Sequence, residues 1–557
     1  MREIYLIRHG KPELAGGEKR CIGWTDVPLS GEGRRAMEAL GLDFKDKDIE
    51  KIYTSPLKRC VESARALSGG RIPIEVLEEL REVYMGEWEN LSFCRIREKY
   101  PKEYEARGRD MAVFAPPGGE SFKDCQDRAL RALERVRAES RGNVIIMAHA
   151  GLNRCLISHL EGRRLGGLFG ISQEYGEVYC FSEPVFDAVI AAAGMSSRMG
   201  EFKPLMELGG KTVIGRQLET LRRGGAREIA VVTGNRAEEI RAAAAGPGVT
   251  FLHNENYETT KMFDSVCLGL RYFEQKARTP EGRTLDGIFF LPVDVPLFTE
   301  FTMEYEAFKF KGGDGDVYCP CFDGAPGHPL LIRASAIPAL LSHDGERGLK
   351  GAYERLGERT VRLSVPDCGA VMDMDTAEDF ARLADYERSR PVADEAMALR
   401  LLKWFKTDEA VVRHCQAVAG LAQEIAACLN RRGAGLDMEL VRSGALLHDV
   451  ARAWPEHEKT GAKWLSMLGH TRTAQVVRDH MDLPPEKAGV LCESLAVYLA
   501  DKMIQEEKRV SVKQRFDEKR KRFKGRPEAL LALEKRYAIA ERALLTAERG
   551  GYIYEAD

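Results

Sequence analysis

Ala191-Ala-Ala-Gly-Met-Ser-Ser-Arg-Met-Gly200, followed by Lys203-Pro204, combines a strand end, a glycine-rich turn and two fixed cations. Val185 to Ala193 is a run of small and β-branched apolar residues, the composition of a parallel strand buried on both faces. Gly194 and Gly200 allow the backbone to approach phosphates closely, and free N–H groups would face the anion as they do at a helix N-terminus. Arg198 and Lys203 supply charge for the α- and β-phosphates, where negative charge grows as pyrophosphate leaves. The stretch therefore reads as a nucleoside triphosphate site built from Ala192, Ala193, Gly194, Ser196, Arg198, Met199, Gly200 and Lys203. It is not a Walker loop, because no Gly-Lys-Ser/Thr follows, and its glycine spacing is wrong for a dinucleotide fingerprint.

Asp294 follows the apolar run Gly287-Ile-Phe-Phe-Leu-Pro-Val293, which puts a carboxylate at the C-terminal end of a strand, where open α/β sheets bind ligands. Gly327-His328-Pro329 and Asp373-Met-Asp375-Thr-Ala-Glu-Asp379 come later. Residues 184–388 resemble the nucleotidyltransferases that make molybdenum cofactor dinucleotides, the cytidylyltransferase branch above all. That resemblance implies an α/β Rossmann-like domain, Mg²⁺ held by Asp294 with Asp373 and Asp375, and an acceptor substrate facing His328. Asp379 reads instead as a helix cap.

A chain of 557 residues is too long for one core, and three domains fit it best. Its 83 basic and 86 acidic side chains nearly cancel, at net −3, so nothing argues for nucleic acid as a partner. The thirteen cysteines lack paired zinc-type spacing and read as reduced, mostly buried thiols. Met-Arg-Glu-Ile-Tyr-Leu-Ile enters a strand directly, and no apolar run approaches the ~18 residues of a membrane span. These features lead us to expect a cytoplasmic protein with no membrane partner.

Ile4 to Ile7 reads as a short buried strand ending in Arg8-His9-Gly10. An imidazole can attack phosphorus directly if a backbone hydrogen bond holds it and cations neutralise the phosphoryl oxygens. Ser55-Pro-Leu-Lys-Arg59, Leu80-Arg-Glu82, Gly118-Gly-Glu-Ser121 and the strand-end His149 of Val144-Ile-Ile-Met-Ala-His149 complete a set. Residues 1–183 resemble the histidine phosphatase superfamily, a three-layer α/β fold that also includes the cofactor-dependent phosphoglycerate mutases. The resemblance makes His9 the nucleophile and Glu82 the acid, with Arg8, Arg59 and His149 on the phosphoryl group of a phosphate monoester. Cys21 to Leu29 is similar to the branch acting on α-ribazole phosphate. Lys11-Pro12 and Ala150 depart from the usual pattern and leave this set intact.

From Asp394 onward glycine falls and helical periodicity rises, so an all-α domain is expected over 389–557. His414 sits on an amphipathic stretch, and His448-Asp449 ends the apolar Ser443-Gly-Ala-Leu-Leu447. Imidazole and carboxylate ligands suit Fe²⁺, Mn²⁺ or Zn²⁺, and a shared aspartate can bridge two ions. His457, His480 and Asp501 are further candidate ligands. The spacing resembles the HD phosphohydrolase superfamily and, within it, the bacterial branch that cleaves symmetric diadenosine tetraphosphate. That resemblance implies a divalent transition metal, Fe or Mn. Lys508 to Arg549 reads as a solvated helix pair.

The combined expectation is a multifunctional enzyme: a nucleotidyltransferase using CTP or another NTP and a molybdopterin-type acceptor, flanked by two phosphohydrolases, with a molybdoenzyme or its maturation chaperone as partner. A sugar or polyol phosphate acceptor, or flanking domains that only bind nucleotides and regulate, remain the alternatives.

Overall fold

The computed structural model describes residues 2–553 except 15–19, 141, 196–198, 279–284, 455 and 525–526. The main break in packing falls between Val185 and Phe186. In the first unit, strands β1 (Arg2–Arg8), β2 (Ile49–Thr54), β3 (Ile74–Val76), β4 (Asn143–Ala148) and β5 (Val178–Glu183) form one sheet in the order β3-β2-β4-β1-β5. All are parallel except the edge strand β5. Side chains alternate between faces along a strand. Ile4, Leu6, Val144 and Ile146 pack on helices α3 (Phe122–Glu139) and α4 (Ala150–Leu160), whereas Tyr5, Ile7, Ile145 and Met147 pack on α1 (Gly31–Leu40) and α2 (Lys58–Ser68). Three layers result. The neighbouring central strands β1 and β4 deliver His9 and His149 side by side at their C-terminal ends, with the His9 N–H bonded to the Ala148 carbonyl at 3.0 Å.

The second unit opens with β6 (Phe186–Ala192), every residue of which is buried. It is followed by β7 (Ile229–Thr233), β8 (Val249–His253), β9 (Gly287–Pro292), β10 (Val317–Phe322), β11 (Ala325–Pro326), β12 (Leu330–Arg333) and β13 (Thr360–Ser364). Their order is β8-β7-β6-β9-β12-β10-β11, with β13 paired to β10. The four strands β8, β7, β6 and β9 are parallel, and β12 runs against β9 and β10. Helices α5 (Val213–Arg223) and α7 (Glu300–Gly312) fill one hydrophobic layer with Ile214, Leu218, Met303 and Phe310. On α6 (Met262–Ala277), a Cβ at Gly269 would lie 2.4 Å from a Val189 methyl, so only glycine lets this helix sit against β6. Asp187, the one acid inside β6, is paired with Arg227 at 2.6 and 2.9 Å and accepts the Glu228 N–H at 3.1 Å.

After α8 (Ala377–Ser389) the chain turns helical: α9 (Glu395–Trp404), α10 (Glu409–Asn430), α11 (Met438–Leu447), α12 (His457–Met467), α13 (Thr471–Asp479), α14 (Glu493–Met503), α15 (Val512–Arg522) and α16 (Pro527–Arg549). The last two helices are not merely solvated. Val512, Phe516, Leu533, Ala540, Ala543 and Ala547 are buried in the helical core, a stripe that the surrounding charges disguise in the sequence. Asp379 caps α8, accepting the Thr376 N–H at 2.8 Å, as expected. The α/β and helical parts of this unit interlock. Phe301 of α7 reaches the helical core, its ring 5.3 Å from Trp404 and 5.8 Å from Phe405, and the Trp404 indole donates to the Ser364 carbonyl at 3.0 Å. Between α8 and α9, Arg390 donates to the Leu297 carbonyl at 2.9 Å and accepts from His470 at 2.7 Å. No helix among the described residues is long and apolar enough to cross a membrane.

Removing one partner of a buried ion pair strands the other charge, at a cost of ~3 kcal/mol or more. Asp187→Ala should therefore lower the denaturation midpoint of the second unit markedly, while the first unit melts as in wild type. Differential scanning calorimetry resolves the two, and an unchanged upper or lower transition for the second unit would contradict this account.

Candidate functional sites

His9 is buried, and its Nδ1 lies 2.7 Å from the Gly10 carbonyl oxygen. A carbonyl only accepts, so Nδ1 carries the proton and Nε2 keeps its lone pair, the form a nucleophile needs. The rings of His9 and His149 are 5.2 Å apart, and His149 Nε2 meets Ser55 Oγ at 2.8 Å. Arg8 donates to the Gln173 carbonyl and stacks 3.9 Å from the Tyr175 ring centroid. Arg59 spends its terminal nitrogens on the carbonyls of Thr25, Ile22 and Gly23, at 2.8 to 3.0 Å. Among the described residues the buried Nε atoms of both arginines have no hydrogen-bond partner, which suits an anion-binding site. Part of Arg59's role is thus to hold the Ile22–Thr25 loop rather than to bind phosphate with its whole guanidinium. Glu82 accepts from the N–H groups of Val83, Gly151 and Leu152 at 2.9, 3.1 and 3.0 Å, at the start of α4. A Cβ at Gly151 would come within 2.5 Å of the Glu82 carboxylate, so the residue after Ala150 has to be glycine. Arg128 braces the same loop through the Arg81 and Glu82 carbonyls and is held by Glu120 of the Gly-Gly-Glu-Ser stretch. Ser55 belongs to the Ser55-Pro-Leu-Lys-Arg59 stretch with no role of its own given there, and Tyr175 carries no motif in the sequence. A strand-end serine in Thr54-Ser55-Pro56 is the signal that could have found the first.

In the second site, Lys203 donates to Asp375 at 2.8 Å and stands 3.8 Å from Asp294. Both acids therefore meet one cation beside the ends of β6 and β9. Burial pushes the Asp294 carboxyl upward; Lys203 opposes this, and the nearby Asp375 and Asp373 add to it. Asp373 is raised by burial and by repulsion from Asp375. Among the described residues these carboxylates do not close into a tight three-ligand cluster. They suit Mg²⁺, which keeps waters and substrate phosphates as most of its ligands and would relieve the crowding of acids. A cavity of about 220 Å³ beside them is lined by Ala191, Ala193, Gly194, Lys203, Tyr257 and Lys261. Gly200 adopts a left-handed φ of 74° that glycine tolerates best. Ala192 is the buried end of β6. Ser196 and Arg198 lie outside the described residues. Met199 requires a correction. Its side chain packs with Leu208, Val213, Leu297, Met374 and Leu383 in a small core, so a ligand could meet only its backbone. His328 lines a neighbouring cavity of about 340 Å³ with Phe290, Arg347 and Lys350. Its Nδ1 has no hydrogen-bond partner among the described residues, and burial lowers its pKa to about 4 against a contact with the Phe290 backbone. Tyr257, Thr260 and Lys261 come from a loop that carried no recognisable pattern.

The third site gathers all six expected side chains. The Nδ1 atoms of His414, His448 and His480 lie 2.7, 2.7 and 2.6 Å from the carbonyl oxygens of Glu506, Ala445 and Val477. In the neutral imidazole each Nε2 then keeps its lone pair, as metal ligation requires. His414, His448 and Asp449 form one group with ligand atoms mutually within 4.8 Å, and Asp449, His457 and His480 form another. Asp449 belongs to both. Asp501 stands 3.4 Å from His414 and 3.9 Å from His448. His457 Nε2 approaches Asp449 Oδ1 to 3.0 Å, yet Oδ1 and His448 Nε2 are buried without a directed hydrogen bond. Imidazole nitrogens and carboxylate oxygens converging in this way are a donor set that fits a divalent transition metal. Burial opposes ionisation of Asp449, but the nearness of His448, with His457 and His480, holds it well below the usual carboxylate range. The surrounding cavity, about 480 Å³, is also lined by Arg413, Arg452, Lys502, Arg515 and Lys519.

Burial lowers the His9 pKa well below 6.5, and the positive charges of Arg59 and Arg8 add to the effect against the Gly10 carbonyl. His149 is lowered in the same way. Phosphomonoester hydrolysis should therefore hold its rate as pH falls through 6.5 and drop only in more acid solution. The unfolded chain takes up these protons near 6.5 while the folded one resists, so stability of the first unit should decline from about pH 6.5 downward. A pH–rate profile whose acid limb lies at 6.5 would contradict the neutral, shielded imidazole.

Family models match three successive stretches: the histidine phosphatase superfamily (branch 1) over residues 4–183, the MobA-like NTP transferase domain over 188–360, and the HD domain over 411–513. A 6-phosphofructo-2-kinase/fructose-2,6-bisphosphatase of Gallus gallus is 34% identical over 160 residues, covering 28% of this chain and 32% of its own. Isoform 4 from Rattus norvegicus matches at 34% with the same coverage. The chain thus spans about a third of the length of the curated relatives it matches. Among solved structures, Bacillus stearothermophilus YhfR shares 32% identity over 33% of this chain and 92% of that one, with a TM-score of 0.31. The alpha-ribazole phosphatase from Shigella flexneri shares 23% over 32% and 90%, also at 0.31. The chain therefore carries a histidine phosphatase domain, a MobA-like NTP transferase domain and an HD domain, in that order.

Proposed function

We propose that the central domain transfers a cytidylyl group from CTP to the phosphate of a molybdopterin-type acceptor. The observation that carries this is Lys203 held between Asp294 and Asp375 beside the Gly194 cavity at the ends of β6 and β9. An acceptor phosphate oxygen attacks the α-phosphorus, the bond to the bridging oxygen breaks, and pyrophosphate leaves. Lys203 and the backbone around Gly194 hold the phosphates, and the 340 Å³ cavity with His328 receives the acceptor. Mg²⁺ held by Asp294, Asp373 and Asp375 would neutralise the growing phosphate charge. The choice of CTP and of molybdopterin rests on the sequence resemblance. Incubating the full chain with each of the four nucleoside triphosphates and molybdopterin, following pyrophosphate, should give release with CTP above the others. Asp294→Ala should abolish it without unfolding the chain, and equal rates in that variant at saturating Mg²⁺ would place the site elsewhere.

In the N-terminal domain, His9 Nε2 takes the phosphoryl group of a small monoester while Glu82 gives a proton to the leaving oxygen, and water then releases phosphate. His9→Ala should remove this activity and the acid-labile, base-stable phosphate trapped on the chain. Monoesterase activity that survives undiminished in His9→Ala would rule this mechanism out.

The HD domain hydrolyses a phosphorylated small molecule, and Asp449 with His414, His448, His457, His480 and Asp501 would hold two ions, Fe or Mn. Divalent ions there would lower the pKa of water and neutralise phosphate oxygens. Asp449→Ala should lose both ions by elemental analysis, and His480→Ala only one. One ion or none per wild-type chain, with unchanged hydrolysis in His480→Ala, would sink the shared-carboxylate reading.

A further inference from the structure

Helix α5 buries Val213, Ile214, Gln217, Leu218 and Leu221, and Gln217 is the one polar member of that stripe. It is fully enclosed, at a position where leucine or methionine would complete an apolar face. Its Nε2 donates to the Pro292 carbonyl at 2.9 Å and to the Val295 carbonyl at 3.0 Å. Both hydrogens of one amide are thus engaged at the two ends of the turn Pro292-Val-Asp-Val295, which carries Asp294 off the end of β9. The same turn is tied from another side, because the Met374 N–H donates to the Asp294 carbonyl at 3.0 Å. Met374 stands between Asp373 and Asp375, so fixing the Asp294 peptide also fixes the segment that bears the other two acids. Those acids repel Asp294, and a turn free to move would relieve the repulsion by carrying it away. The Gln217 Oε1 is buried with no hydrogen-bond partner among the described residues, which costs stability. Packing therefore does not account for a glutamine here, whereas the hold on the Asp294 turn does.

We propose that Gln217 is a positioning residue of the central site: its amide clamps the Pro292–Val295 turn, and through Met374 the Asp373–Asp375 segment, in the arrangement that holds Mg²⁺. The proposal rests on reading those three acids as the Mg²⁺ ligands. It adds a buried group that acts through them.

Mn²⁺ serves as the probe in place of Mg²⁺, its binding followed by electron paramagnetic resonance in the full chain carrying Asp449→Ala to clear the helical site of ions. Adding Gln217→Met, which keeps the length of the side chain and loses both donors, should weaken Mn²⁺ about tenfold. Adding Gln217→Glu, nearly isosteric but with an oxygen facing the two carbonyls, should weaken it at least as much, and it decides the matter if Gln217→Met fails to fold. Leu218→Ala, a lesion in the same helix on the hydrophobic layer, should lower the melting temperature and leave Mn²⁺ affinity unchanged. In the otherwise wild-type chain, Gln217→Met should raise the Mg²⁺ concentration for half-maximal pyrophosphate release by a similar factor, with most of the rate recovered at saturating Mg²⁺. Parental Mn²⁺ affinity in a folded Gln217 variant, with Asp294→Ala weakened, would overturn the clamp and leave the Mg²⁺ reading standing. A loss in Leu218→Ala as large as in Gln217→Met would reduce Gln217 to packing. Parental Mn²⁺ affinity in Asp294→Ala would instead remove the Mg²⁺ reading itself, and the clamp with it.

Discussion

A hydrogen bond from imidazole Nδ1–H to a backbone carbonyl recurs at the centre of two chemically different sites. Gly10 provides the acceptor for His9, and Glu506, Ala445 and Val477 provide it for His414, His448 and His480. In each case the bond chooses the tautomer and aims the Nε2 lone pair. Where that lone pair stands among arginines it is suited to attack phosphorus, and where it stands among carboxylates it is suited to hold a cation. The side chain is the same, and only its surroundings differ. The burial that keeps His9 and His448 uncharged near neutral pH is what keeps those lone pairs free.

The strands were readable because buried parallel strands leave long apolar runs. Val144 to Ala148 and Gly287 to Pro292 are such runs, and strands form there. Residues at strand ends, His9, His149 and Asp294, stood out because polar groups directly after those runs are conspicuous. Other features could not be read because they depend on packing between distant segments. Met199 sits in a motif of phosphate-binding character, yet its side chain is claimed by Leu383 and Met374, almost two hundred positions later. Arg59 is diverted to the carbonyls of a loop more than thirty residues earlier. In α15 and α16 the buried positions are outnumbered by charges, so the helices read as solvated although Phe516 and Ala543 are core.

The acids of the central and helical sites also contrast. Asp294 and Asp375 meet one lysine, and Asp294 and Asp373 are pushed toward protonation by desolvation and by neighbouring carboxylates. Asp449 and Asp501 are more deeply buried, yet surrounding imidazoles and Lys502 keep them ionised. The first arrangement favours a loosely held hard cation that arrives with phosphate, and the second a tightly held one that stays.

The join at Arg390 to Ala393 has an implication for how such a fusion can be inherited. Arg390 gives a hydrogen bond to Leu297 on one side and takes one from His470 on the other, while Pro391 and Ala393 bond to Arg472 and Thr473. A genetic crossover within these codons would separate donors from acceptors in both bodies at once. The break between Val185 and Phe186 lies between strands of different sheets, and a cut there leaves both ladders whole. A cut within Arg390 to Ala393 therefore costs hydrogen bonds on both sides of the join, whereas a cut beside Val185 costs neither sheet a strand pair.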